Sequence, residues 1–240
     1  MTNRVFILDT YLWKDKLIKN FSYDKSVYKN LKTKTLHISP LSTDWNTPLE
    51  ADNYKSGCAP LDAVNDAITL LSTGYDLVEI SGRDFLKTDY SSSERRSKMS
   101  IYGEDKSLPT LYTELANLFL AKSTLDKKDF IEIRDLLFEN YLNTYRETYP
   151  TYTVTSKWLS PITSLFRGVD CANPTLDIDA RVLLVNESFL KKNKMKGKFI
   201  EVVDCQTQTT NDGPEALEEL SDFKHLERAF ISLEQRNKFT

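Results

Sequence analysis

The sequence predicts an α/β layer structure, and three observations predict it. A strand signal, a helix, a glycine and a second strand signal follow one another between residues 36 and 82. Apolar runs rich in β-branched residues recur near the N-terminus, at 181–185 and at 199–203. A polar and then strongly helical stretch separates the early strands from the late ones.

Taken in order, Arg4-Val5-Phe6-Ile7-Leu8-Asp9 reads as a buried strand. Residues 11–35 are rich in Lys, Tyr and Asn and show no clean period. Leu36-His37-Ile38 reads as a short strand before the turn signals Ser39-Pro40 and Thr47-Pro48. Residues 59–73 read as a helix. Pro60 suits its first turn, Leu61, Val64, Ile68 and Leu71 fall at helical spacing, and Gly74 ends it. A strand follows over 76–82. Residues 87–107 are polar and read as a loop carrying Arg95, Arg96 and Lys98. Pro109 opens a helix over 109–122, and Thr124 is placed to cap a longer one over about 125–146, with Phe130, Ile133, Arg134, Leu136, Leu137 and Tyr141 on its face.

Residues 149–168, with Pro150, Pro161 and Gly168, read as an irregular connection. Strands follow at 181–185 and 199–203, separated by the lysine run Lys191, Lys192, Lys194, Lys196 and Lys198, read as a solvated turn. An amphipathic helix over 214–235 closes the chain.

Composition narrows the function. With 240 residues the chain can bury a core without staples. Apolar residues make up 40% and charged residues 28%, as in an ordinary soluble domain. The net charge of −3 calls for neither nucleic acid nor an anionic membrane surface. No apolar run approaches the roughly 18 residues a membrane span needs. The N-terminus lacks the long apolar stretch of a signal peptide. Cys58, Cys171 and Cys205 are odd in number and far apart, which argues against a disulfide framework or a zinc site and for a reducing cytoplasm. His37 and His225 are the two histidines, and no metal site is expected. Seven glycines, with no GxGxxG and no GxxxxGK[ST], leave no nucleotide-phosphate cradle.

Cys58 is the candidate catalytic residue. It precedes the helix at 59–73, where backbone N–H groups and the helix dipole favour a thiolate, and Gly57 would let the backbone turn sharply. The alternative reading is a buried thiol that packs as a small apolar side chain.

The motif Ser56-Gly57-Cys58-Ala59, followed by Leu61, Ala63, Ala67, Ile68, Gly74, Asp76 and a strand ending at Gly82, resembles the thiolase superfamily. Ser160-Pro161-Ile162, Asp170-Cys171-Ala172-Asn173-Pro174 and Asp177-Ile178-Asp179-Ala180-Arg181-Val182-Leu183-Leu184-Val185 are similar to the sterol-carrier-protein-type thiolases, where an irregular segment leads through an Asp-Gly-Ala turn into a core strand. The match runs over roughly residues 50–235 and corresponds to the N-terminal half of such a thiolase or acetyl-CoA acetyltransferase.

The resemblance implies a layered α-β-α half with a mainly helical loop-domain insertion. Residues 1–86 and 169–240 would form the core and residues 87–168 the insertion. It implies that Cys58 accepts an acyl group from a coenzyme A thioester, with no tightly bound cofactor. The CoA phosphates would meet Arg95, Arg96 and Lys98, or the lysine run. It also implies a homo- or hetero-oligomer with a thiolase-like subunit.

The chain departs from the family in several places. The region before Cys58 is short. No segment matches the family's catalytic-histidine motifs or second cysteine. Ile178 replaces the turn glycine, and Pro60 stands where small residues are usual. A fragment, a subunit completed by another chain, and a degenerate relative that kept the fold all fit these departures. A catalytically inactive partner or scaffold subunit is the alternative function.

Overall fold

The computed structural model describes residues 4–14, 17–19, 31–40, 51–55, 57–98, 107–171, 176–208, 210 and 216–237. Of the residues named above, Thr47, Pro48, Ser56, Ala172, Asn173 and Pro174 lie outside the described residues, as does the side chain of Lys98. The chain packs as two compact units. The first comprises Met1–Ile101, Thr175–Gln208 and Leu226–Thr240, and the second Tyr102–Pro174 and Thr209–His225.

The first unit is built on a seven-stranded mixed sheet of β1 (Val5–Lys14), β2 (Leu17–Lys19), β3 (Thr33–Ile38), β4 (Asn53–Tyr54), β5 (Leu77–Phe85), β6 (Asp177–Asn186) and β7 (Ile200–Val202). The strand order is β2-β1-β6-β5-β3-β4, and β7 pairs with the start of β1. β6 runs antiparallel to both β1 and β5. β3 and β5 are parallel, and the helix α1 (Ala59–Ser72) lies between them in sequence, which makes a βαβ crossover.

Period-two patterning sorts the core onto two faces of this sheet. Val5, Leu36, Val78, Ile80 and Leu184 face α1 and pack on Ala63, Ala67 and Leu71. Phe6, Leu77, Leu183 and Val185 face the other way, onto Phe189 and Leu190 of α6 (Glu187–Lys192). The α1 surface against the sheet is made of Ala59, Ala63 and Ala67, spaced by four and almost fully buried. Small side chains at that spacing let the helix backbone approach the strands closely. Gly74 sits just past the helix at φ +102°, a conformation that favours glycine. Asn186 joins the two layers. Its Oδ1 caps α6 by accepting from the Phe189 N–H at 2.8 Å, while its Nδ2 donates to the Tyr75 carbonyl at 3.1 Å.

Several elements differ from the expectation. β1 continues to Lys14 through a register shift between Ile7 and Asp9, because β6 offers partners along its whole length. β6 begins at Asp177, so Asp177-Ile178-Asp179-Ala180 is strand and Ile178 lies within the ladder rather than in a turn. The polar stretch after β5 holds a helix, α2 (Ser92–Lys98), at whose start the Ser91 N–H donates to Glu94 at 2.7 Å and the Ser91 hydroxyl accepts from the Glu94 N–H. The expected closing helix is two helices, α7 (Ala216–Ser221) and α8 (Lys224–Asn237), broken where Phe223 takes φ +54°.

The second unit is mainly helical. α3 (Leu108–Lys122) is capped by Ser107, and α4 (Lys127–Thr148) by Asp126 in a reciprocal box with Asp129, so the cap is Asp126 and not Thr124. The stretch expected to be irregular includes the single-turn α5 (Ser156–Leu159), a bridge between Pro161 and Arg167, and a 3-10 turn at Gly168–Cys171. Phe166 is held edge-on by Tyr112 and Phe130, with Leu165 buried beside it.

Candidate functional site

Cys58 is the N-cap residue of α1, with φ −95° and ψ 2°. Its carbonyl accepts the N–H groups of Leu61 at 2.9 Å and Asp62 at 3.0 Å, which closes the first turn. Its side chain makes no capping bond, consistent with sulfur being a poor acceptor for a backbone N–H. The residue is half-buried and outside any disulfide. Gly57 is not needed for space or conformation here. A Cβ at that position would meet nothing within 4 Å, and Gly57 is not among the positive-φ glycines.

Three residues to which the sequence reading gave no role at the site, Asp62, Cys205 and Thr207, stand at the same turn. Asp62 lies four residues after Cys58, on the same helical face. Its carboxylate accepts the Thr207 hydroxyl at 2.9 Å. Cys205 is buried, and its thiol donates to the Leu61 carbonyl at 3.5 Å. Burial pushes the Cys205 thiol up, with the nearby charges of Asp204 and Asp62 acting in the same direction. The signal that could have found Asp62 is its i,i+4 relation to Cys58. Cys205 and Thr207 come from the far end of the chain and carried no such signal.

The segment bearing Cys205 and Thr207 is fixed from its other side by α8. Arg236 pairs with Asp204 at 3.0 Å, Asn237 donates to the same carboxylate at 2.7 Å, and Ser232 donates to Gln206 at 3.4 Å. Further along α1, the Tyr54 hydroxyl donates to Asp66. Burial, and then that carboxylate, raises the Tyr54 phenol well above its ordinary value.

The basic candidates sit differently. The Arg95 guanidinium is occupied within its own segment, donating to the carbonyls of Tyr90 at 2.5 Å and Lys87 at 3.2 Å and to the Ser92 hydroxyl at 3.0 Å. Arg96 is exposed on α2. Cys171 lies in the second unit beside Asp170, and burial followed by that charge raises its thiol. His37 is exposed on β3, and its N–H donates to the Asp52 carbonyl at 2.8 Å. His225 lies in the first turn of α8. Among the described residues no three His, Cys, Asp or Glu side chains gather as a metal site would require, and no helix is long and apolar enough to cross a membrane.

With this geometry in place, solved structures identify the architecture. A monomeric SCP2-thiolase-like protein type 1 from Mycobacterium smegmatis superimposes with a TM-score of 0.60 at 12% identity, over 94% of this chain and 56% of that one. The fold is thiolase-like. An Ltp2–ChsH2(DUF35) aldolase superimposes with a TM-score of 0.53 at 10% identity, over 87% of this chain and 62% of that one. The thiolase-like chain thus spans about three-fifths of the length of each of these proteins. No protein-family model and no curated protein matches the sequence.

Proposed function

We propose that this chain is a thiolase-like acyltransferase half that acts on acyl-CoA through a thioester on Cys58. The observation that carries the proposal is Cys58 at the N-cap of α1, where the first N–H groups of the helix begin, on a thiolase-like fold. In the proposed step the Cys58 sulfur attacks the thioester carbonyl of acyl-CoA. The new S–C bond forms, the carbonyl–sulfur bond to CoA breaks, and CoA leaves as a thiolate that ends with the proton given up by the Cys58 thiol. The N–H groups at the start of α1 are suited to the charge that develops there. Arg96 and Lys98 on α2 are the proposed contacts for the CoA phosphates. Arg95, occupied by its own segment, acts as their scaffold. The helical segment within 87–168 is the proposed loop-domain insertion, and the remainder of the machinery, including a general base, comes from a thiolase-like partner subunit or from further sequence.

A second reading is an inactive thiolase-like scaffold subunit, and the lack of any segment in this sequence matching the family's catalytic-histidine motifs favours it.

Intact-mass measurement after exposure to short- and medium-chain acyl-CoAs separates the two readings. A single acyl adduct, absent in Cys58→Ala, is the result expected of the acyltransferase half. No adduct on a folded wild-type chain favours the scaffold, and an equal adduct in Cys58→Ala overturns the nucleophile assignment.

A further inference from the structure

The last turn of α6 and the loop that leads from it to β7 carry five lysines in eight residues, Lys191, Lys192, Lys194, Lys196 and Lys198, all exposed. The loop is held from beneath. The Met195 N–H donates to the Leu190 carbonyl at 3.0 Å, and the Asn193 side chain donates to the Phe189 carbonyl at 2.9 Å. Met195 and Phe199 pack against the core that holds Phe6, Leu77, Leu183 and Val185. Between these anchors Lys194, Lys196 and Lys198 alternate outward.

Neither local conformation nor ion pairing accounts for these lysines. Lys194 takes φ +50°, where glycine or asparagine is the usual residue. Lys191 pairs with Glu187 at 3.0 Å, while Arg4 pairs with Glu201 and stands 3.6 Å from Glu187. Those two cations match those two carboxylates. Among the described residues no ion pair is made by Lys192, Lys194, Lys196 or Lys198. Four like charges on one ordered loop repel one another, and an anionic partner would relieve that repulsion. Aliphatic side chains border them. Ile200, at the start of β7, is 68% exposed, and Val203, just past its end, is 60% exposed.

We propose that the loop between α6 and β7 is a docking surface for an anionic membrane. Lys192, Lys194, Lys196 and Lys198 meet the lipid headgroups, and Ile200 and Val203 enter the boundary with the acyl chains. Clusters of about four or more basic side chains bind anionic headgroups, and exposed aliphatics beside them add apolar burial. A nucleic acid or a soluble polyphosphate would leave those aliphatics in water. The net charge of −3 is a sum over the whole chain. Charges farther than about 8 Å are screened at physiological salt, so the loop acts through its own charge.

The test is co-sedimentation of the chain with phosphatidylcholine vesicles, with and without phosphatidylserine, at low and at high salt. The expected result is binding only where phosphatidylserine is present, weakening as salt rises. The combined variant Lys192→Gln, Lys196→Gln, Lys198→Gln should bind on the order of a hundredfold more weakly, at about fivefold for each lysine. Ile200→Thr should bind a few-fold more weakly. Melting temperatures should not change, because all four side chains are exposed. Removing the same charge from the second unit, in Lys127→Gln, Lys128→Gln, Lys157→Gln, should leave the affinity within about twofold. A wild-type chain that binds neither vesicle overturns the proposal and leaves the lysines to a soluble acidic partner. Binding that survives the loop variant overturns it, and so does an equal loss in the second-unit variant, which would make net charge the cause.

Discussion

The Arg134 guanidinium donates a 2.6 Å hydrogen bond to the main-chain carbonyl of Leu165, 31 residues further along the chain. The same guanidinium pairs with Asp135 at 2.8 Å and stands 3.7 Å from Asp170, which Arg167 grips with its own fork at 2.8 and 3.0 Å. Arg167 also stacks over Phe138, with its guanidinium carbon 4.9 Å from the ring centroid. Two arginines and two aspartates thus clamp α4 to the segment that carries Leu165 and the 3-10 turn. Arg134→Met removes the donor to Leu165 and leaves Asp170 less compensated. It is expected to lower the unfolding free energy by about 2–3 kcal/mol, measured by urea titration. Arg134→Lys should recover less than half of the loss, because a lysine offers no planar fork. Full stability in Arg134→Met would remove the clamp from the argument.

Asp170 gives the second unit a pH signature. Burial by itself pushes its carboxyl up, but the side-chain and backbone donors of Arg167 and that residue's charge outweigh it and hold the group below the usual carboxylate range. A depressed value in the folded state means stability that is present above the unfolded value of about 3.9 and is lost as pH falls through the lower folded value. Thermal melts should therefore fall in temperature below about pH 4, and Asp170→Asn should flatten that part of the profile. An identical acid profile in the variant would assign the effect to other groups.

The three cysteines should separate by reactivity. Cys171 and Cys205 are both raised, chiefly by burial, which reduces their thiolate fraction at a given pH. Cys58 is half-buried at a helix start. Under native conditions iodoacetamide is expected to modify Cys58 first and Cys205 last, as read by peptide mass spectrometry. Early labelling of Cys205 would contradict its burial beneath α1.

Ala67 is fully buried between α1 and the sheet, in the same core as Leu36, Val78 and Leu184. The helix backbone sits too close to the strands to admit a larger side chain. Ala67→Leu is expected to destabilise the chain by about 1–3 kcal/mol, with Ala67→Ser milder. An unchanged midpoint in denaturant for Ala67→Leu would show slack that the packing does not suggest.

Much of the fold was legible in the sequence where the signal is local. The run Asp76-Leu77-Val78-Glu79-Ile80 marked β5, and Pro60 with Gly74 bracketed α1 to within a residue. Long-range pairing was not legible. The strand formers of Thr10–Trp13 run straight into an aperiodic, lysine-rich stretch, so where β1 ends is set by β6, and the register shift after Ile7 re-aims the residues that follow. The break at Phe223 was hidden because a non-glycine residue at φ +54° has no composition cue. The cap of α4 was misplaced by two residues because Thr124 and Asp126 are both good caps, and Asp129 completes a reciprocal box with Asp126.

Of the candidate site, the sequence by itself determined that Cys58 stands at the start of a helix. Short-range terms decide that position: the proline in the first turn, the apolar period and the glycine beyond the end. Tertiary structure alone decided what surrounds it. Cys205 meets Leu61 across 144 residues of chain, and Thr207 meets Asp62 across 145. Such contacts arise because β6, β7 and α8 fold back against the first strands and α1, and chain return over that distance leaves no periodic trace in the sequence. The same holds for α4. Its apolar spacing was readable, but which of its residues would be covered depended on how the segment around Leu165 and Phe166 packed against it.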